Sequence, residues 1–144
     1  MNNKENPTLK NREEGDTELP PSINMDTFCV APFTHQSTKT DGSVKACCRA
    51  KGRVSTLTET NLVDAWNWQK LRQLRLDLCN GIQNDMCKVC WDHEANDVES
   101  MRVNINKNVA RKNLALERAN RALKNNGNLE GNDKPIWFEF KLNN

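Results

Sequence analysis

The feature that most constrains this chain is the arrangement of four cysteines along it. Cys29 lies at the start of a predicted hairpin, Cys47 follows the Asp41-Gly42 turn of that hairpin, and Cys87 and Cys90 form a Cys-x-x-Cys pair. Thiolate is a soft ligand that suits zinc and iron–sulfur clusters, and a Cys-x-x-Cys pair brings two sulfurs to one metal without strain. The pattern therefore predicts one metal site, assembled from a hairpin and the start of a distant helix.

Two further cysteines compete for places in this site. In a strand, neighbouring side chains point to opposite faces, so Cys47 and Cys48 cannot both face one metal. We favour Cys47, and Cys48 replaces it if the strand register differs. Cys79 lies eight residues before Cys87, and it approaches the site only if the intervening loop folds back. A small buried hydrophobic residue is the favoured interpretation of Cys79.

The chain contains two histidines, His35 and His93, and each is a candidate residue of the site. His93 follows Cys90 by one helical turn, so it could be a fourth ligand or donate a hydrogen bond to one. A surface histidine is the favoured interpretation, and the same holds for His35 on the hairpin. The sequence shows no nucleophile–base pair, glycine-rich phosphate loop or paired carboxylates with catalytic spacing.

Length and composition indicate one soluble domain. The chain has 144 residues and a mean hydropathy of -0.84, and no apolar run approaches the roughly 18 residues of a membrane-spanning helix. Residues 1–18 lack the apolar stretch of a signal peptide. Six cysteines in a chain without a secretion signal favour metal or redox use over a disulfide scaffold. We expect a cytoplasmic protein that does not contact a membrane.

The order of the elements predicts an α+β fold, with a small β-hairpin and helices around the cysteine site. Residues 1–26 are polar and predict a disordered tail, and residues 28–54 predict the hairpin. Residues 58–80 predict helix, capped by Thr60 or Asn61, with a break at Asn67 and an end at Asn80-Gly81. A long helix is expected from Lys88 to Lys124, bent at its asparagine-rich middle.

The second half of the predicted long helix is strongly basic. From Arg102 to Lys124 there are seven basic residues and one acidic residue, Glu117. Such a stretch is a solvated face or a surface for nucleic acid or an acidic partner. Because no aromatic residues are interleaved with the basic ones, we favour the solvated face over nucleic acid.

The chain ends in an apolar segment with the period of a strand. Ile136, Phe138, Phe140 and Leu142 fall on one face at period two. This segment has no partner strand close by in sequence. It either returns to pair with the hairpin or begins a further domain.

Several segments together carry a family resemblance. The stretches 28–33 and 41–48, with their cysteines, resemble the SPASM/twitch auxiliary-cluster domain of radical SAM proteins. The stretches 61–67 and 71–75 are similar to its linking helix, and Cys87-Lys88-Val89-Cys90 resembles its closing pair. The likeness covers roughly residues 28–101. Lys134 to Asn144 also resembles the first barrel strand of a radical SAM domain.

The chain departs from the family in two ways. It contains no Cys-x3-Cys-x2-Cys motif, which binds the cluster that cleaves S-adenosylmethionine, and no cysteine follows Cys90. The shorter, twitch-like arrangement remains. The resemblance thus implies a tail (1–26), a cluster-binding domain (27–125), and a linker with the start of a truncated barrel (126–144).

The resemblance implies a function for the cysteine set. Cys29, Cys47, Cys87 and Cys90 would be the thiolate ligands of a [4Fe–4S] cluster that serves electron transfer or substrate positioning. The chain would not be catalytic alone: a radical SAM barrel, in cis or in trans, would bind S-adenosylmethionine and act on a peptide or protein substrate. The alternative is a structural zinc-binding module for protein or nucleic-acid interaction.

Overall fold

A four-stranded sheet and six short α-helices make up residues 22–140, the part of the chain that this computed structural model describes. The predicted mixture of helices and strands is confirmed. The helices are α1 (Ala31–Thr34), α2 (Leu62–Ala65), α3 (Gln69–Cys79), α4 (Lys88–Ala95), α5 (Met101–Ile105) and α6 (Val109–Leu123). The strands are β1 (His35–Thr38), β2 (Ser43–Lys45), β3 (Ser55–Thr56) and β4 (Trp137–Phe140).

The predicted hairpin is present, with its turn at the predicted position. Strands β1 and β2 are antiparallel, and Thr38 lies opposite Val44. Gly42 has a φ of +86° in the turn, a conformation that glycine adopts without steric cost. The carboxylate of Asp41 accepts a hydrogen bond from the backbone N–H of Ser43 at 2.9 Å. The outer strand β3, which the sequence did not predict, pairs with β2 and places Ser55 opposite Val44.

Both arms of the hairpin are shorter than predicted. The incoming arm is helical over Ala31–Thr34 before it becomes β1. Pro32 suits the first turn of a helix because its fixed φ matches the helical value, and the Thr34 hydroxyl donates to the Val30 carbonyl at 3.1 Å. The return arm ends at Lys45, and the chain then turns, with the N–H of Ala50 donating to the carbonyl of Cys47 at 3.1 Å.

The predicted helix over residues 58–80 is divided at Asn67, as expected. The Asn61 side chain caps α2 by accepting from the N–H of Asp64 at 2.8 Å. The amide of Asn67 accepts from the N–H of Leu129 at 2.8 Å and donates to its carbonyl at 2.8 Å. The break therefore joins this region to the distant loop after α6. Helix α3 ends before Gly81, whose φ is +81°.

The prediction of one long, bent helix from Lys88 to Lys124 is wrong, because the region forms three separate helices. Asp97, between α4 and α5, has a φ of +57°. The Ser100 hydroxyl caps α5 by accepting from the N–H of Val103 at 3.1 Å, and the Asn108 side chain caps α6. Serine and asparagine side chains compete with the helical backbone bonds and so favour helix starts over helix interiors.

The terminal apolar segment forms a strand and pairs with the hairpin. Strand β4 is parallel to β1, with His35 opposite Trp137, and the order of the sheet is β3-β2-β1-β4. The N–H of Ile136 also donates to the carbonyl of Thr34 at 2.9 Å. Ile136, Trp137 and Phe138 are each about half exposed. Leu142, the last residue of the predicted stripe, lies outside the described residues.

The segment from Phe28 to Phe33 lies at the centre of the core and is held by three buried arginines. The rings of Phe28 and Phe33 stack, with 5.4 Å between their centroids. Both side chains are fully buried, together with leucines of α3. Each arginine donates to a different carbonyl of this segment, and the pairs are Arg102 to Phe28 (2.9 Å), Arg75 to Pro32 (2.8 Å) and Arg118 to Phe33 (2.8 Å). Cys29 therefore lies in a segment whose carbonyls are hydrogen-bonded on both sides of it.

The predicted disordered tail, residues 1–26, lies mostly outside the described residues. At its end, the N–H of Asn24 donates to the carbonyl of Cys79 at 2.9 Å, and the carbonyl of Met25 accepts from Arg102 at 3.2 Å. The last residues of the predicted tail therefore pack against the folded domain.

Candidate metal centre

The four cysteines of the sequence pattern line one cavity. Cys29, Cys47, Cys87 and Cys90 contribute to its wall together with Arg49, Met101, Arg102 and Ile105. We call this the cysteine cavity. The four come from three separate parts of the fold: the segment before α1, the turn after β2, and the start of α4.

The position of Cys29 is set by hydrogen bonds to both of its neighbours in sequence. The side-chain amide of Asn106 donates to the carbonyl of Phe28 at 2.9 Å and accepts from the N–H of Val30 at 3.1 Å. The thiol sulfur of Cys29 accepts from the N–H of Ala31 at 3.5 Å. Cys29 is also buried. These hydrogen bonds therefore fix the backbone on both sides of Cys29 and the position of its sulfur.

The loop that carries Cys47 is tied to the turn that carries Cys87. The N–H of Lys51 donates to the carbonyl of Met86, the residue before Cys87, at 2.7 Å. Asn84 organises the turn itself, because its side chain accepts from the N–H of Met86 at 2.9 Å and its carbonyl accepts from the indole N–H of Trp91 at 2.8 Å.

Cys87 and Cys90 stand at the start of a helix. Cys87 ends the short 3-10 helix Asp85–Cys87 and directly precedes α4, and Cys90 lies in the first turn of α4. Residues three apart on a helix share a face. The Cys-x-x-Cys spacing thus brings both side chains to the same cavity wall.

Cys29, Cys47 and Cys87 are poor nucleophiles in the absence of a metal, because their pKa values are raised. Burial raises the pKa of Cys29 well above its usual value, raises that of Cys47 to about 11 and raises that of Cys87 to about 12. The neighbouring cysteines contribute to each of these increases, because two thiolates close together repel each other. A reactive cysteine needs a low pKa, whereas a bound cation can displace the protons of a thiol set and hold the thiolates.

No carboxylate or imidazole lines the cysteine cavity. The donor set is therefore purely sulfur, which fits a group bound by thiolates and suits neither magnesium nor calcium. Within residues 22–140, no group of three or more His, Cys, Asp or Glu side chains is placed so that it could hold a metal ion.

The competing cysteines lie elsewhere. Cys48 lines a neighbouring surface pocket with His93, and its sulfur is 3.9 Å from that of Met101. Cys79 belongs to the hydrophobic core, where burial raises its pKa to about 12. Neither Cys48, Cys79 nor His93 lines the cysteine cavity. His35 lies on the sheet, with its Nε2 3.6 Å from a carboxylate oxygen of Glu139.

The alternation argument that separates Cys47 from Cys48 does not apply. It requires a strand that runs through both residues, but β2 ends at Lys45 and the two cysteines lie in the following turn. The turn still sends them to different cavities. Sequence reasoning also missed Arg49, Met101, Arg102 and Ile105, for which the motif contains no signal.

No family model matches the chain, and neither a curated protein nor a solved structure matches it. None of the helices in the described part of the chain has the length and apolar character needed to cross a membrane.

Proposed function

We propose that this chain is the auxiliary, cluster-binding part of a radical SAM protein, and that Cys29, Cys47, Cys87 and Cys90 hold a [4Fe–4S] cluster. The observation that carries the proposal is the convergence of these thiols, from three parts of the fold, on one cavity without a carboxylate or imidazole. A cluster of this kind supplies one-electron chemistry when bound.

The resemblance to the SPASM/twitch domain is what favours a cluster over a single zinc ion. Four cysteines can also hold a structural zinc ion, and within residues 22–140 no group of three or more His, Cys, Asp or Glu side chains is placed to hold a metal ion. Metal analysis therefore has to distinguish the two.

The residues of the chain would hold the cluster and shield it. Met101 and Ile105 give the cysteine cavity apolar walls, which limit the access of water and oxygen. Since all four cysteines would be ligands, the cluster would serve electron transfer or position a substrate through its surroundings. Cleavage of S-adenosylmethionine would require a radical SAM barrel in cis or in trans, and the substrate would be a peptide or protein that reaches both parts.

The proposal is tested by metal analysis of cysteine variants after anaerobic reconstitution with iron and sulfide. We expect Cys87→Ala and Cys90→Ala to lose most of the iron that the unaltered protein binds, because each removes one thiolate from the cavity. Cys48→Ala is the matched control, since Cys48 neighbours the site in sequence but lines another pocket.

Two outcomes would contradict the proposal. Full retention of iron by Cys87→Ala would show that the ligands are misassigned. An unaltered protein that takes up zinc and no iron would replace the cluster by a structural zinc site.

A further inference from the structure

The cysteine cavity contains one buried positive charge. Arg102 is the second residue of α5, and its side chain is only 7% exposed although arginine is rarely buried without a partner. It lines the same cavity as the cysteines. Arg49, the other cation of the wall, is exposed to solvent, so its charge is screened by water.

The contacts of Arg102 connect the segments that carry two of the cysteines. Its guanidinium donates to the carbonyl of Phe28, directly before Cys29, at 2.9 Å. It also forms a two-pronged pair with the carboxylate of Glu94, one turn after Cys90 on α4, at 2.9 and 2.6 Å. Such bidentate pairs fix geometry as well as adding energy.

The rest of the network holds Arg102 in one orientation. The Ser100 hydroxyl donates to the Glu94 carboxylate at 2.6 Å, and the guanidinium lies over the ring of Trp91 at 5.4 Å. The hydrogen bonds to Glu94 and Phe28 use the N–H groups of the guanidinium, and the contact with Trp91 uses its flat face. A lysine, with its compact ammonium, cannot reproduce them.

Arg102 lines the cysteine cavity together with all four cysteines. Because its guanidinium is buried and held by Glu94 and by the Phe28 carbonyl, its positive charge lies at a fixed position beside any group that the cysteines hold. Water screens such a buried charge much less than an exposed one.

We propose that Arg102 is a positioning residue that joins the Cys29 and Cys90 segments and sets the reduction potential of the group they bind. This inference rests on the proposed function. A cluster with four thiolate ligands is anionic, and reduction adds a further negative charge. A fixed cation beside it, in a poorly hydrated site, stabilises the reduced state more than the oxidised state.

The test is redox titration, followed by electron paramagnetic resonance, of reconstituted Arg102→Gln and Arg102→Lys. Loss of the charge in Arg102→Gln should shift the ratio of reduced to oxidised cluster at a given potential by at least tenfold, which is about 59 mV toward more negative potential for one electron. Arg102→Lys should keep a potential near that of the unaltered protein, while it retains less iron because the fork to Glu94 and Phe28 is lost.

Arg118→Gln is the matched control. Arg118 is also buried, and it donates to the carbonyls of Phe33 and Lys134 at 2.8 and 2.7 Å, but it does not line the cysteine cavity. A general loss of stability should affect Arg118→Gln and Arg102→Gln alike. The potential should change only in Arg102→Gln.

The results separate the two proposals. If the unaltered protein binds a cluster and Arg102→Gln has the same potential, the role of Arg102 is wrong and the proposed function stands. If Arg102→Gln binds no iron while Arg118→Gln does, the positioning role is supported, and a shifted potential in Arg102→Lys would then overturn the charge role. An unaltered protein without iron would overturn both proposals.

Discussion

At the scale of single residues, the motif was sufficient to select the cysteines but not their surroundings. Cys29, Cys47, Cys87 and Cys90 were chosen from the sequence, and they share one cavity. Whether they bind a cluster stays a prediction. Arg102 could not be chosen in the same way. Its role depends on a hydrogen bond to the carbonyl of Phe28, 74 positions away in the sequence. In addition, nothing in the sequence distinguishes a buried arginine from the exposed basic residues of the same stretch.

Arg75 offers a prediction at this scale. Its guanidinium is fully buried, and burial lowers its pKa to about 9, so it remains charged at neutral pH. It donates to the carbonyls of Pro32, Trp66 and Gly127 at 2.8, 2.6 and 2.9 Å. Arg75→Leu leaves all three carbonyls without this donor. We expect the free energy of unfolding to fall by about 3 kcal/mol or more, measured by urea denaturation.

The control for this prediction is Arg72→Leu. Arg72 is half-buried and donates to one carbonyl, that of Asn67, at 3.0 Å. Its loss should cost about 1 kcal/mol. Equal losses in the two variants, compared in the same metal state, would contradict the central role that we give to Arg75.

At the scale of elements, turn and cap chemistry was predictable, whereas element length was not. The Asp41-Gly42 turn, the Asn61 cap and the Asn67 break are local features, and all are present. The prediction of one long helix from Lys88 to Lys124 is wrong because its apolar stripe is compatible with one helix or with several. The caps at Ser100 and Asn108 divide it. Strand β3 is two residues long, too short to leave a periodic pattern.

The loop after α6 offers a prediction for an element. Gly127 has a φ of +85°, and a Cβ added there would lie 2.6 Å from the carbonyl oxygen of Arg72. Gly127→Ala therefore combines backbone strain with a clash against backbone. The free energy of unfolding should fall by roughly 3 kcal/mol, the sum of about 1 kcal/mol for the left-handed backbone and up to about 2 kcal/mol for overpacking.

Gly131 in the same loop is the control for the clash. Its φ is +62°, but no atom lies within 4 Å of an added Cβ. Gly131→Ala should therefore cost only about 1 kcal/mol. If thermal and urea unfolding show the same loss in both variants, the close approach of the loop to Arg72 does not contribute to stability.

At the scale of the whole molecule, the class was predictable and the topology was left open. The sequence allowed the terminal strand either to pair with the hairpin or to begin another domain. Strand β4 pairs in parallel with β1 across about 100 residues of chain, with Gln36 opposite Phe138. This pairing depends on how the helices and strands between β1 and β4 pack in three dimensions. No local sequence pattern could therefore predict it. The proposed continuation into a barrel stays a prediction.

The central claim is that the cysteine cavity holds an iron–sulfur cluster, and anaerobic reconstitution of the unaltered chain tests it most directly. Iron, sulfide and zinc are measured per chain, together with the visible absorption spectrum. We predict a brown protein with the broad visible absorption of thiolate-bound iron, and with iron and sulfide in the ratio of a [4Fe–4S] cluster. A colourless protein that contains zinc and no iron would contradict the claim.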